Sequence, residues 1–324
     1  MRCSRKQLNR KGSKHMNYQA YKLKFQGAVH LGKNRLENGE FVFCADTLFS
    51  ALCHEALKRG QDVLSRFYQL AKNGEVLLSD AFPYMGDMYY LPKPMKRIQV
   101  EGDKGDSVLK KAYKKLRYIP AEQLGVYLRE EYDVLSARSI NELGHFEMKV
   151  SAAVRGEEET QPYRVGCYYY NEGNGLYIIL GYSDTGAIRL VEELLESLAF
   201  SGIGGKRSSG LGRFGLHRGK LPSNVLTRLE GSGKRYMTLS VSLPTDNEME
   251  DVLDNAEYLL CKRSGFVASE QYAMEQQRRR DLYVLQAGTC IGKRYNGDIY
   301  DVSDKGGNHP VYRYAKPMLM EVDV

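Results

Sequence analysis

The residues of this sequence whose types and spacing best suit chemistry are Phe200-Ser-Gly-Ile-Gly-Gly-Lys-Arg-Ser-Ser-Gly-Leu-Gly-Arg-Phe-Gly215. Six glycines stand at 202, 204, 205, 210, 212 and 215. Glycine permits positive φ and close backbone approach, so successive N–H groups can converge on an anion. Lys206, Arg207 and Arg213 add charge, and Ser208 and Ser209 add hydroxyl donors. The composition predicts a phosphate grip, and a Gly/Ser turn with incidental charge is the plainer alternative. Two nucleotide-binding loops are excluded. A P-loop ending at Gly205-Lys206 would need Gly at Phe200 and Ser or Thr at Arg207. A dinucleotide fingerprint from Gly202 would need Gly or Ala at Arg207, and both motifs open a helix, whereas this loop follows one and opens a strand.

His30 and Lys33 lie in the loop after the first predicted strand. A histidine near a basic loop could act as general acid or base. Asp80 and Asp87 flank Pro83 and Gly86 and shape turns. His54, His145, His217 and His309 show no ligand spacing, and the cysteines at 3, 44, 53, 167, 261 and 290 form no CxxC or CxxH pair. Neither metal nor cofactor is predicted. Cys53 beside His54 reads as helix, and Arg278 to Arg280 as a solvated basic face.

Stepping outward, Tyr21, Leu23 and Phe25 alternate with lysines, the period-two signature of a half-buried strand. Asp46 reads as the N-cap of a helix through Lys58, stopped by Gly60, with a second helix over 62–71. A short strand is predicted at 76–78 and an irregular Tyr-rich stretch at 83–94. The pattern loosens over 96–151, where Lys110, Lys111, Lys114, Lys115 and Arg117 cluster on a short helix. Strands follow at 163–170 and 176–182, joined by a turn-rich connection. An amphipathic helix covers 187–200, then come the glycine-rich loop and a strand at 213–217. This is βα, insertion, ββ, α, loop, β, close to the βαββαβ order of a ferredoxin-like domain. A linker over 220–235 leads to a second α+β unit with strands at 236–243, 258–261, 282–285 and 311–314.

The chain has 324 residues, enough for two domains, with 42% hydrophobic residues. Its 24 tyrosines, against 10 phenylalanines and no tryptophan, suit strand-rich packing and base stacking alike. A net charge of +7 raises the expectation of a polyanionic partner without deciding it. The first 15 residues are basic without a signal-peptide core, and no run is long enough to span a bilayer. A cytoplasmic protein is predicted, in which residues 1–16 form a basic extension and Met16 is a possible natural start.

A glycine-rich loop between the last helix and last strand of a ferredoxin-like domain resembles the CRISPR RAMP superfamily. Four local motifs narrow the resemblance: Ala45-Asp-Thr-Leu-Phe-Ser-Ala-Leu52; Leu78-Ser-Asp-Ala-Phe-Pro-Tyr84 with Tyr90-Leu-Pro-Lys-Pro94; the loop itself; and His309-Pro-Val-Tyr-Arg-Tyr-Ala-Lys-Pro317. In order and spacing, from Tyr18 to Val324, they resemble the RAMP subunit that caps the crRNA 5′ handle in type III-A (Csm) effector complexes. The resemblance implies an α+β fold of two ferredoxin-like (RRM-like) RAMP domains, 17–220 and 221–324, the first carrying a thumb-like insertion over 96–159. It implies a non-catalytic subunit that binds the 5′ repeat-derived tag, close to target RNA. Its protein partners would be a large polymerase-like (cyclase) subunit and a backbone RAMP subunit. Gly204, Gly205, Lys206, Arg207, Ser208, Ser209, Gly210 and Arg213 would face the tag backbone, with His30 and Lys33 alongside. The basic tracts at 110–117 and 149–155 fall in the insertion, and Lys149 and Arg155 join the candidate RNA contacts. RAMP ribonucleases often use a histidine in the His30 loop, so precursor-crRNA cleavage is one alternative. A protein–protein scaffold without RNA contact is another.

Overall fold

The computed structural model describes residues 16–33, 35–96, 107–153, 161–269, 272–304 and 307–323. Strand β1 (Asn17–Phe25) leads through β2 (Leu31–Lys33) and β3 (Arg35–Glu40) to helices α1 (Ala45–Arg59) and α2 (Gln61–Lys72). Next come β4 (Val76–Leu78), β5 (Phe82–Met85) and β6 (Met88–Pro92). Then α3 (Ser107–Lys115), β7 (Tyr118–Pro120) and α4 (Leu124–Leu128) precede the long hairpin of β8 (Gly144–Ala153) and β9 (Gln161–Tyr170). Strand β10 (Asn174–Tyr182), helix α5 (Thr185–Ser201) and β11 (Phe214–Gly219) complete the first half.

The central antiparallel sheet runs β11–β1–β10–β5–β6–β7, with β4 also pairing β10. Strands β1, β4/β5, β10 and β11, with α1/α2 and α5 as the crossovers, give the expected βαββαβ connectivity. Side chains alternate across a strand, and here both faces are buried. Leu176, Ile178 and Leu180 of β10 enter a core with Leu48, Phe49, Leu52, Val191, Leu194 and Leu198 of the helices. Tyr177 and Ile179 point the other way, into a core with Met237, Leu239, Met318 and Met320. Asp184 caps α5 by accepting from the Gly186 and Ala187 N–H groups at 2.8 and 3.0 Å, and Gly202 ends the helix.

The second half contains α6 (Ser223–Glu230), β12 (Tyr236–Thr238), α7 (Asp246–Leu253), β13 (Leu260–Arg263), β14 (Leu282–Leu285), β15 (Cys290–Ile291), β16 (Asp298–Asp301), β17 (Tyr312–Ala315) and β18 (Leu319–Glu321). Strand β12 lies between β15 and β18. The chain beyond β12 keeps both neighbours, because Ser242 pairs with Leu285 and the Leu243 N–H donates to the Ala315 carbonyl. Strands β13 and β16 flank β14 and β17. The resulting order, β13, β14/β15, β12, β17/β18, β16, is that of the first sheet's βαββαβ strands with an added edge.

Four sequence expectations change. The stretch over 83–94, expected to be irregular, forms the buried hairpin β5–β6, whose Tyr84, Tyr89 and Leu91 fill the second core. The expected linker contains α6, which docks Val225 and Leu229 onto that core. Cys44, not Asp46, is the N-cap of α1. Within the expected insertion, β7 joins the central sheet and Ile119, Tyr127, Tyr132 and Val134 build a small core of their own. Of the basic residues there, Lys110, Lys111, Lys114 and Lys115 are exposed, while the Arg117 guanidinium lies 5.1 Å from the Phe41 ring centre.

Candidate functional site

The glycine-rich loop is stitched to residues 28–30, between β1 and β2. The Gly205 N–H donates to the His30 carbonyl at 2.8 Å, and the Gly212 N–H to the Ala28 carbonyl at 2.9 Å. Val29 in turn exchanges both backbone bonds with Tyr168 of β9. Loop, residues 28–30, β9 and β8 therefore form one antiparallel layer beside the central sheet. Gly212 has φ +78°, and a Cβ there would lie 2.0 Å from the Ile203 carbonyl oxygen, so only glycine fits this crossing. The tip, Arg207–Ser209, is a single 3-10 turn whose Ser209 and Gly210 N–H groups return to Lys206 and Arg207.

These bonds commit part of the loop's backbone. The N–H groups of Gly205 and Gly212 serve His30 and Ala28, and those of Ser209 and Gly210 return to the loop itself. The loop also offers an anion its side chains. Ser208, Ser209 and Arg213 are exposed, and Lys206 and Arg207 half-buried. Lys206 adopts left-handed backbone at φ +58° and reaches Tyr163 of β9, donating to its hydroxyl at 3.3 Å with the ammonium 4.3 Å from the ring centre. Arg207 lies near His54 of α1, whose imidazole is held below its ordinary pKa by burial and then by that guanidinium.

His30 is not poised at a surface. Its side chain is buried, and Nδ1 lies 2.7 Å from the Gly166 carbonyl of β9, so it staples the layer. Lys33 is exposed but paired with Glu40. Lys149 of β8 is exposed opposite Val165, which packs with Leu211 of the loop, so Lys149 stands on the loop's side of the hairpin. Arg155 lies outside the described residues. Among the described residues no group of three or more metal-ligating side chains forms, and no helix is long and apolar enough to cross a membrane.

Sequence reasoning missed a buried polar cluster where three of the four motifs meet. The Asp46 carboxylate, fully buried in the first turn of α1, accepts from Arg263 at 2.6 and 2.9 Å and from Arg313. Burial alone would raise its pKa, but Arg263 and Arg313 outweigh this and hold it at about 2. Nearby, Asp80 accepts from the N–H groups of Ala45 and Val241 at 2.8 and 3.0 Å. The Tyr314 hydroxyl accepts from the Leu78 N–H, and its ring lies against Phe49. The first, second and fourth motifs thus join the two halves, and the loop motif alone faces outward.

A family profile described as the CRISPR Csm4 C-terminal domain matches residues 231–322. The CRISPR system Cms protein Csm4 of Mycobacterium tuberculosis is 38% identical over 309 residues, covering 94% of this chain and 98% of that protein. Its counterpart in Streptococcus thermophilus is 33% identical over 322 residues, covering 95% and 100%. This chain belongs to the Csm4 family. The fold agrees. A Csm3–Csm4 subcomplex of the type III-A CRISPR-Cas interference complex contains a chain that superposes with a TM-score of 0.63 at 18% identity, covering 93% of this chain and 98% of that one. A Csm1–Csm4 cassette in complex with cA4 gives 0.59 at 19% identity, covering 95% and 98%. The RAMP resemblance read from the motifs is therefore correct at the level of the Csm4 family.

Proposed function

We propose that this chain is the non-catalytic RNA-binding subunit of a cytoplasmic type III-A CRISPR effector complex, holding the 5′ repeat-derived tag of the crRNA. The observation that carries this reading is the stitched loop, which fixes Lys206, Arg207, Ser208, Ser209 and Arg213 on one outward edge beside Lys149. Cations and hydroxyls on a fixed edge suit a single-stranded phosphate backbone. The solved Csm3–Csm4 and Csm1–Csm4 assemblies support two flanking protein partners, a backbone RAMP subunit and the large polymerase-like subunit.

A stapling role for His30 favours the non-catalytic reading, because its buried ring is committed to Gly166. Two measurements test the proposal. Reversing Lys206 and Arg207 to Glu weakens binding of short single-stranded RNA and flattens its salt dependence, since fewer counterions are released. Unchanged affinity and slope would refute the loop's role. Precursor crRNA incubated with the protein stays intact; metal-independent cleavage abolished by His30→Ala would make the chain a nuclease instead.

A further inference from the structure

Arg278, Arg279 and Arg280, expected together on a solvated face, part company in the structure. Arg278 and Arg280 are exposed, but Arg279 turns inward over Gly265, where a Cβ would lie 3.1 Å from Arg279 Nη2. That Nη2 donates to the Ser264 carbonyl at 3.1 Å, and the buried Nε has no partner among the described residues. Burial, and then the charges of Arg313 and Arg263, pull the Arg279 pKa down to about 10. Arg313 itself is only 2% exposed. It donates to Asp46 through Nη1, which leaves Nε and Nη2 buried and without a partner among the described residues. Those two atoms form the side-on fork of the guanidinium, the same fork with which Arg263 grips both oxygens of Asp46. The charge count points the same way. Three guanidinium groups act on one fully ionised carboxylate, Asp46. Asp80, at about 7, is only partly ionised near neutrality, and burial keeps the Cys44 and Cys261 thiols neutral. Buried side-chain donors nearly always have a partner in protein, water or an ion. A water would fill the fork but leave the buried charge uncompensated, which is costly in an interior.

We propose that the unfilled fork of Arg313, together with Arg279 Nε, holds one small inorganic oxyanion of the sulfate or phosphate class at the junction of the two halves. Two parallel N–H groups of a planar guanidinium match two oxygens of such an ion. With Arg313 almost entirely out of solvent, the site suits a free ion and not a diester within a continuing strand. Arg263, whose side chain is 24% exposed, and the half-buried Arg279 connect the cluster to solvent. Arg279 precedes β14, Arg313 lies in β17 and Asp46 in α1. The oxyanion and Asp46 would therefore balance the arginines from two sides and tie the second half of the chain to the first. The inference does not depend on the RNA-binding reading.

The test uses the full chain, with ionic strength held constant by sodium chloride. Calorimetric titration with sodium sulfate should give one saturable site, and the urea midpoint should rise with the same saturation. Arg279→Gln, which leaves the Asp46 pairs in place, should weaken sulfate binding at least about tenfold. Arg313→Lys keeps a cation for Asp46 but has no fork, and should lose the site. Crystals soaked in sodium selenate give a readout that needs no variant: anomalous selenium density beside Arg313 Nε and Nη2. Three results would each overturn the site: no saturable sulfate binding, unchanged affinity in Arg279→Gln, or selenium only at exposed surface cations, an adventitious ion only. If Arg313→Lys does not fold, the wild-type and Arg279→Gln measurements still decide. Saturating short single-stranded RNA should leave sulfate affinity unchanged. Displacement of sulfate by that RNA would give the fork to a strand phosphate and overturn the free-ion site.

Discussion

At the scale of single residues, the buried carboxylates make opposite predictions. Asp46 is held at about 2 because, against the penalty of burial, two guanidinium groups favour its charged form. Its stabilising contribution is complete above the unfolded value of ~3.9 and disappears as pH falls through about 2. Asp46→Ala leaves Arg263 and Arg313 facing each other without their shared anion, and should cost about 3–5 kcal/mol in urea unfolding. Burial instead lifts Asp80 to about 7, although two backbone N–H groups favour its charged form. The folded state then binds the extra proton between ~3.9 and about 7, so this group's contribution falls as pH rises across that window. Asp80→Asn keeps an oxygen for the Ala45 and Val241 N–H groups and should flatten that slope, seen as urea midpoints that no longer fall between these pH values. Neither role was legible in the sequence. Asp46 follows a helix-start pattern, and its partner Arg313 is 267 positions away, a separation at which local spacing carries no signal.

At the scale of elements, the loop's glycines divide by what they meet. Gly212 has positive φ and a carbonyl where its side chain would be. Gly210 also has positive φ, at +81°, but a Cβ there meets nothing within 4 Å. Gly210→Ala should therefore cost only the left-handed penalty, about 1–2 kcal/mol. Gly212→Ala adds overpacking of about 1–3 kcal/mol and should also weaken RNA binding, because it pries the loop off residue 28. Thermal unfolding of the two variants measures the difference. The loop itself, its position after α5 and the chemistry of its side chains were readable, because glycine spacing and charge are local. The pairing of Gly205 with His30 was not, since it is a long-range backbone contact that leaves no mark on composition. The hairpin over 82–92 was obscured by its prolines and tyrosines. Tyr84, Tyr89 and Tyr90 fill cores through their rings and so erase the alternation that exposes a half-buried strand.

At the scale of the whole molecule, the sequence suggested two units in series, yet the core does not respect that division. Val241, Val284, Ile299 and Tyr314 share a cluster with α1, α2 and α5, and the opposite face of the first sheet is covered by Met237, Leu239, Met318 and Met320. A fragment ending at Lys220 would expose Phe82, Tyr177 and Ile179 to water and should fail to give a soluble, cooperatively folding product. The full chain should unfold in one transition. It lacks tryptophan, so coincidence of tyrosine fluorescence with far-ultraviolet circular dichroism in urea provides the check.

The order of the central sheet also sets a clock. Strand β1 is made first, yet it lies between β10 and β11, which are translated after everything else in that sheet. About 150 residues separate the end of β1 at Phe25 from the start of β10 at Asn174, which at ~5–20 residues per second amounts to about 7–30 s of synthesis. During that interval the edges of β1 have no native partner. A ribosome-bound nascent chain should accordingly remain protease-sensitive in its first strand until β11 has left the exit tunnel.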